Sequence, residues 1–193
     1  MSNKLKYRED VFKYFINEMK LEFAAEIGVD TGKFSEHLLD SSLKKLYCID
    51  SWMDNFGSNC RPDYFDEAGE KRFKEAEERL KKFGEKVTFI RKLSLDAVED
   101  FKDGCLDFVY IDGDHSLEGI YEDIRAWTPK VKIGGVVAGH DYKDGPRSGM
   151  KDFYGNQLDY KVKTIVDDYI ARMGYELGLA GGVIKSWYFV KDK

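Results

Sequence analysis

The chain has 193 residues, enough for one domain with a sizeable core, and hydrophobic residues make up 42% of it, which argues against extensive disorder. Its net charge of −5 and pI of about 5.4 argue against a nucleic-acid backbone as the main partner, because phosphate contact needs clustered Lys and Arg. The apolar runs are strand-sized, and the three cysteines form no CxxC, which argues against a membrane span, a disulfide framework and a zinc knuckle.

Helical and strand-like patterns alternate along the first half of the chain. Short apolar runs that end in Gly or Asp indicate buried strands, and apolar residues at a spacing of three and four indicate helices. In chain order, the predicted elements are an N-terminal helix within 1–20, a strand over 22–28, a helix over 31–42, a strand over 44–50, a loop over 51–66 and a highly charged helix over 66–83.

The second half continues the alternation and then closes differently. Ser94 is a plausible N-cap for a short helix, and Pro129 stops a longer one. In chain order, the predicted elements are strands over 86–92, 106–112 and 134–141 separated by helices over 94–101 and 117–129, then a loop over 143–156, a helix over 158–174 and a hairpin over 175–190 with Gly181 and Gly182 in its turn.

This order predicts a three-layer α/β sandwich. Alternation implies a mostly parallel sheet with helices on both faces, and the closing hairpin adds antiparallel strands, giving a seven-stranded Rossmann-like sheet. We expect residues 1–193 to form one domain, with no linker or internal repeat. In such sheets, ligands bind at the carboxyl ends of the strands, where the polar residues of this sequence are concentrated.

The first of these ends reads EIGVDTG, residues 26–32. Gly28 and Gly32 permit a tight turn and a close backbone approach to a ligand, but the spacing is not the GxGxxG of dinucleotide sites. Glu26 and Asp30 would repel a pyrophosphate and would suit a ligand that carries an ammonium and a sulfonium. Asp50, about 20 residues further on, ends the next strand, where an acid can hold ribose hydroxyls. The alternative is that Gly28 only ends a strand and Asp50 only caps a helix.

These residues resemble those of the class I S-adenosylmethionine-dependent methyltransferases, which carry E-x-G-x-x-x-G after strand one and an acid at the end of strand two. CIDSW, IDGDH, GG and HDY, within residues 22–142, further resemble a branch of small methyltransferases related to macrolide-sugar O-methyltransferases. The resemblance implies the same fold and S-adenosylmethionine as cofactor. The implied cofactor-binding residues are Glu26, Gly28, Asp30, Gly32, Asp50, Ser51, Trp52, Ser94 and Asp112.

A second cluster follows the fourth and fifth strands. Methyl transfer from a sulfonium is an in-line displacement, and an alcohol or phenol acceptor is too weakly acidic to react well at neutral pH. A general base or a divalent cation that lowers the hydroxyl pKa would overcome this. Asp112 and Asp141 end adjacent strands and could share Mg²⁺ or Mn²⁺, and His115 could take the proton. The sequence therefore holds the parts for both remedies.

The macrolide-sugar O-methyltransferases share a DxxH element followed by an acidic pair. The resemblance implies that Asp112, His115 and Asp141 are the ligand, the base and the second ligand. His140 replaces the first acid of the pair, and a nitrogen ligand there would favour Mn²⁺, Fe²⁺ or Zn²⁺ over Mg²⁺. The alternatives are that His140 is a core histidine bonded to backbone and that Asp114 is the N-cap of the following helix.

Two segments flank the proposed site, over 51–66 and 142–158. Both are rich in aromatic residues and glycine, so they are expected to be substrate-side loops around a small organic acceptor, although aromatics under long loops often only pack.

The sequence therefore predicts a methyltransferase that acts on oxygen of a small-molecule acceptor. Alternatives are a nicotinamide-dependent oxidoreductase, an iron oxygenase using His115, His140 and Asp141, and a non-catalytic module that binds a cofactor or partner. We expect a cytoplasmic protein without nucleic-acid or membrane partners, because residues 1–20 carry too many charges for a signal peptide. The oligomeric state is left open, with a homodimer among the options.

Overall fold

In a computed structural model of the chain, the described residues are 7–53, 67–151, 157–182 and 184–193. They form two sheets and six α-helices, with short 3-10 turns at 81–86, 98–100 and 128–130. The helices are α1 (Arg8–Glu18), α2 (Lys33–Leu39), α3 (Glu67–Leu80), α4 (Ser94–Ala97), α5 (Leu117–Trp127) and α6 (Val162–Met173). The strands are β1 (Phe23–Ile27), β2 (Lys45–Asp50), β3 (Val87–Arg91), β4 (Leu106–Ile111), β5 (Val131–Gly139), β6 (Asp144–Lys151), β7 (Gln157–Lys161), β8 (Gly178–Ala180) and β9 (Ser186–Val190).

The main sheet has seven strands in the order β3-β2-β1-β4-β5-β9-β8. The first five are parallel, whereas β9 runs antiparallel to both β5 and β8. The predicted Rossmann-like sandwich with a C-terminal antiparallel hairpin is therefore confirmed. No helix among the described residues is long and apolar enough to cross a membrane.

The core lies on both faces of this sheet because successive side chains of a strand point to opposite faces. In β4, Phe108 and Tyr110 join the cluster beneath α1, α2 and α3, while Val109 and Ile111 join the cluster beneath α5 and α6. All six residues of β4 are buried, as expected for a central parallel strand covered on both sides.

Strand order places the polar residues of the sequence side by side. β1 lies between β2 and β4, and β4 pairs with β5 through Ile111 and Gly139. The residues that follow β1, β2, β4 and β5 therefore share one edge. Strand order reverses between β1 and β4, where parallel α/β sheets bind ligands.

The structure corrects four details of the prediction. The expected loop over 143–156 contains β6, which pairs with β7 in a separate two-stranded sheet, and α6 therefore begins at Val162. β5 begins at Val131. The C-terminal hairpin pairs Ala180 with Ser186, so its connection is longer than a two-glycine turn. Most of the predicted loop over 51–66 lies outside the described residues.

Candidate active site

The first turn, residues 28–32, passes directly over the end of β4. Gly28 has a φ of +86°, and a Cβ placed on it would lie 2.2 Å from the carbonyl oxygen of Asp112. Gly32 and Asp30 also lie in the left-handed region, with φ values of +73° and +51°. The glycine at 28 is therefore required by the chain's own backbone, which brings β1 and β4 together at this edge.

Glu26 is a buried acid at the end of β1, with 1% of its surface exposed. The Ser35 hydroxyl donates to one of its oxygens, and the other oxygen accepts no hydrogen bond from the described residues. Burial raises the pKa of Glu26 to about 8, even though the Ser35 hydrogen bond opposes the rise. The free oxygen is suited to a cationic group, and this arrangement fits the ammonium of the implied cofactor.

Asp50 holds the first turn in place. Its Oδ2 accepts the backbone N–H groups of Val29 and Asp30 at 2.8 and 2.9 Å, and its Oδ1 accepts that of Trp52 at 2.7 Å. A carboxylate has about four acceptor positions, so roughly one remains for a ligand hydroxyl. The neighbouring Ser51 accepts the N–H of Met53.

Two of the expected cofactor residues are engaged inside the protein. The Trp52 ring is 1% exposed, packs against Phe73 at 4.8 Å and donates its indole N–H to the Asp30 carbonyl. The Ser94 hydroxyl donates to Asp123 and accepts the indole N–H of Trp127. Trp52 and Ser94 therefore support the site from the protein interior.

Two helix caps differ from the prediction. Leu93, rather than Ser94, precedes α4, and no side chain caps that helix. Ser116, rather than Asp114, is the N-cap of α5, where its hydroxyl accepts the N–H of Gly119. Asp114 instead accepts the backbone N–H and hydroxyl of Ser116 in a local turn. Ser116 is the cap because it directly precedes the first helical turn, where its side-chain oxygen reaches a free N–H group.

Asp112, His115 and Asp141 converge just beyond β4 and β5. His115 Nε2 lies 3.2 Å from Asp112 Oδ1 and 3.4 Å from Asp141 Oδ2. One ligand atom from each residue lies within 4.8 Å of those of the other two. The predicted meeting of these side chains is therefore observed, and it follows from the pairing of β4 with β5.

His140 lies at the side of this cluster. Its Nδ1 is 3.6 Å from Asp112 Oδ1 and 3.8 Å from Asp141 Oδ1, and its backbone N–H donates to Ile111. Its side chain is 19% exposed and faces carboxylates, which does not match the alternative of a core histidine bonded to backbone. Burial would raise the pKa of Asp112, but His115 and His140 outweigh it and hold that pKa at about 2.

The sequence analysis did not assign three neighbours to this cluster. Arg8, the first residue of α1, donates to Asp112 Oδ2 at 3.4 Å. Lys143 Nζ lies 3.4 Å from Asp141 Oδ1, and the ring of Tyr160 lies 5.4 Å from that of His115. The carboxylates are thus held by cations on their outer oxygens and face the imidazole with their inner ones.

His115 has one ring nitrogen to spare. Its side chain is 12% exposed, and Nδ1 is buried without a hydrogen-bond partner in the part of the chain that the structure describes. Buried polar atoms are normally paired, so an orphan at a ligand-binding edge points to a missing group. Two carboxylates and an imidazole are also a donor set that fits a divalent cation.

Comparison with known proteins agrees with the fold. A sequence profile described as a methyltransferase domain matches residues 25–142, more than half of the chain. No curated protein sequence matches the chain significantly.

Solved structures of the same fold share little sequence with the chain. A proposed caffeoyl-CoA O-methyltransferase from Staphylococcus aureus has a TM-score of 0.68 and 18% identity, over 94% of this chain and 82% of that one. A cofactor-bound protein from MTB has a TM-score of 0.66 and 14% identity, over 100% and 82%. An O-methyltransferase family protein from Burkholderia thailandensis has 0.66 and 14%, over 96% and 55%. By the profile match, this chain belongs to the methyltransferase domain family, and it is a class I S-adenosylmethionine-dependent methyltransferase.

Proposed function

We propose that the chain transfers the methyl group of S-adenosylmethionine to a hydroxyl oxygen of a small organic acceptor. The observation that carries this proposal is the convergence of Asp112, His115 and Asp141 at the strand edge where the first turn lies. A hydroxyl needs help to lose its proton at neutral pH, whereas the sulfonium needs only alignment. This cluster contains the groups that could supply that help.

The cofactor would occupy the edge between the first turn and β4. Glu26 offers its free oxygen to the ammonium, and the remaining acceptor position of Asp50 suits a ribose hydroxyl. Ser51 follows β2 at the same edge, and Ser94 and Asp123 would lie near the adenine of the cofactor. The acidic turn disfavours the pyrophosphate of a nicotinamide cofactor.

His115 would act as the general base through its unpaired nitrogen. When Nε2–H donates to Asp112 or Asp141, Nδ1 carries the lone pair. Because Nδ1 is buried in this structure, it receives the hydroxyl proton only after a movement of the ring or of its neighbours on acceptor binding gives the hydroxyl access to it. The two carboxylates keep the ring in this tautomer and stabilise the imidazolium that forms. Proton transfer to a positioned base accelerates reactions by about 100- to 10,000-fold.

A divalent cation is the second remedy that this donor set allows. Asp112 and Asp141 would hold it with one oxygen each, and His115 Nε2 or His140 Nδ1 would add a nitrogen, which favours Mn²⁺ over Mg²⁺. When bound, such a cation lowers the pKa of a coordinated hydroxyl. His115 Nε2 would then be a metal ligand rather than a hydrogen-bond donor. The general-base and cation mechanisms therefore require different protonation of the His115 ring nitrogens.

Strand β7 supports a compact acceptor site. The Lys161 backbone N–H donates to the His115 carbonyl at 3.0 Å, so β7 closes one side of the cluster. The IDGDH and HDY motifs support membership of the branch related to macrolide-sugar O-methyltransferases. Phenol and sugar hydroxyls are therefore the acceptors to test first.

The test is methyl transfer to a panel of phenols, catechols and sugars, followed by mass spectrometry. His115→Ala should lower turnover by about 100-fold or more while S-adenosylhomocysteine binding changes little. His37→Ala, which changes an exposed histidine on α2, is the matched control. Loss of turnover with EDTA and its return with Mn²⁺ would select the cation. Equal turnover in His115→Ala and wild type would refute the proposed base, and no transfer to any acceptor would favour a binding module.

A further inference from the structure

Arg8 lies at the strand edge although it belongs to the N-terminal helix. Its Nη1 donates to the Tyr110 hydroxyl at 3.1 Å and to Asp112 Oδ2 at 3.4 Å. The guanidinium carbon lies 4.5 Å from the centre of the Phe34 ring, so the side chain packs flat on α2. These contacts fix a cation between α2 and the end of β4.

Part of this guanidinium is unused. Nε pairs with Glu9 and Nη1 makes the two bonds above, but Nη2 donates to no group among the residues that the structure describes. The Arg8 side chain is 23% exposed, so part of it is open to solvent. Arg8 can therefore donate to an incoming anion without giving up its existing contacts.

A buried acid with a free oxygen, Glu26, ends the strand beside β4. Glu26 ends β1, and Asp112 follows β4, the strand beside it. The positive charge of Arg8 acts on Glu26, since it is among the groups that oppose the rise of the Glu26 pKa caused by burial. A cationic side chain, Arg8, and an acidic one, Glu26, thus lie at the same edge of the sheet. An α-amino acid headgroup carries the matching carboxylate and ammonium.

Other arginines around the first turn have different partners. Arg72 pairs with Asp30 at 3.4 Å, and Arg79 donates to the Thr31 carbonyl and pairs with Glu36. Both belong to α3, which packs against the Gly32 end of the turn, whereas the Gly28 end lies against Asp112. Of these three arginines, Arg8 is the one that contacts β4 and the residue that follows it.

We infer that Arg8 binds the carboxylate of the methionine portion of S-adenosylmethionine, while Glu26 faces its ammonium. The inference rests on the proposed cofactor site. It makes α1 part of that site rather than only a cover for the sheet, and it assigns to Arg8 a role in ligand specificity. A cofactor analogue without the carboxylate should then bind more weakly.

The experiment is calorimetric titration with S-adenosylhomocysteine and with its decarboxylated analogue, in which a 3-aminopropyl group replaces the amino acid. The proteins are wild type, Arg8→Met, Arg8→Lys and the control Arg72→Met. Met preserves most of the packing on Phe34 and removes the donors. Arg8→Met should weaken binding of S-adenosylhomocysteine by about 10- to 100-fold and of the analogue by less than about 3-fold. Arg8→Lys should recover part of the loss, and Arg72→Met should affect both ligands equally.

Equal weakening of both ligands in Arg8→Met would overturn the inference, because Arg8 would then only hold α1 on the sheet. If Arg8→Met does not fold, wild type alone still decides, since equal affinity for the two ligands would also overturn it. If wild type binds neither ligand, the proposed cofactor site itself is wrong. If wild type binds S-adenosylhomocysteine and its decarboxylated analogue equally well, the proposed cofactor site still holds and only the role of Arg8 in it is excluded.

Discussion

Replacing Glu26 by Gln should make the ligand-free protein more stable at neutral pH and weaken its cofactor binding. Burial raises the pKa of Glu26 from 4.5 to about 8. Between these values the native state holds a proton that the unfolded state has released. The free energy of unfolding therefore falls as pH rises through this window, and Gln, which does not ionise, removes that contribution.

The size of the effect follows from the linkage slope. Where Glu26 is protonated in the native state and ionised in the unfolded state, the slope is about 1.4 kcal/mol per pH unit. Between pH 5 and pH 7, the stability of Glu26→Gln relative to wild type should therefore rise by about 2 to 3 kcal/mol. Loss of the carboxylate should also weaken binding of S-adenosylhomocysteine by about 10-fold or more, because the ammonium loses its partner.

The assay is urea unfolding of both proteins at pH 5, 6 and 7, with Glu118→Gln as control because Glu118 is exposed. The difference in unfolding free energy should widen with pH for Glu26→Gln and stay constant for Glu118→Gln. If plots of unfolding free energy against pH are parallel for Glu26→Gln and wild type, Glu26 has no raised pKa in the native state and this reasoning is refuted.

Three further predictions concern the backbone and charges of the site. Gly28→Ala should cost more than about 3 kcal/mol because its Cβ would lie 2.2 Å from the Asp112 carbonyl oxygen. Gly174→Ala, in the left-handed helical region with a φ of +68° and a ψ of +32° and with only the flexible Lys193 Nζ near its Cβ, should cost only about 1 kcal/mol; similar urea midpoints for the two variants would contradict this. Ser116→Ala should lose about 1 kcal/mol of thermal stability with the α5 cap, and an unchanged melting temperature would contradict the cap. His140→Ala should raise the pKa of Asp112 above about 2, as followed by carboxyl NMR from pH 5 downwards; the stability from Asp112 should be lost as pH falls from 3.8 through that value, and an unchanged titration would exclude His140 as a cause.

The sequence was sufficient to predict the main sheet and the meeting of its acids. β1, β2 and β4 are short apolar runs ending in polar residues, a pattern with one favourable arrangement, the centre of a parallel sheet. Since carboxyl ends of parallel strands share an edge, Asp112 and Asp141 had to come close once β4 and β5 were neighbours.

The segment before α6 could not be predicted because its signals are mixed. β6 contains Pro146 and two glycines, which are typical of loops, yet it pairs with β7 as an isolated ribbon. Leu158 and Tyr160 of β7 and Val162, the first residue of α6, alternate as in a strand, but apolar residues at helical spacing follow directly. Periodicity does not locate the boundary between two such patterns.

Contacts between residues far apart in the sequence could not be predicted either. Arg8 is 104 positions from Asp112 in sequence, and nothing in the helical spacing of α1 tells where its first residue will point. Asp50 was expected to face a ribose, but the free N–H groups of the tight turn take most of its acceptor positions. Short-range patterns cannot show such competition between backbone and ligand.

The most direct test of the cofactor site is calorimetric titration of the wild-type protein with S-adenosylhomocysteine, with NAD⁺ as the control ligand. Micromolar binding of S-adenosylhomocysteine and no binding of NAD⁺ is the predicted result, because the acidic first turn and Glu26 favour an ammonium over a pyrophosphate. Binding of NAD⁺, or of neither nucleotide, would contradict the site built on Glu26 and Gly28.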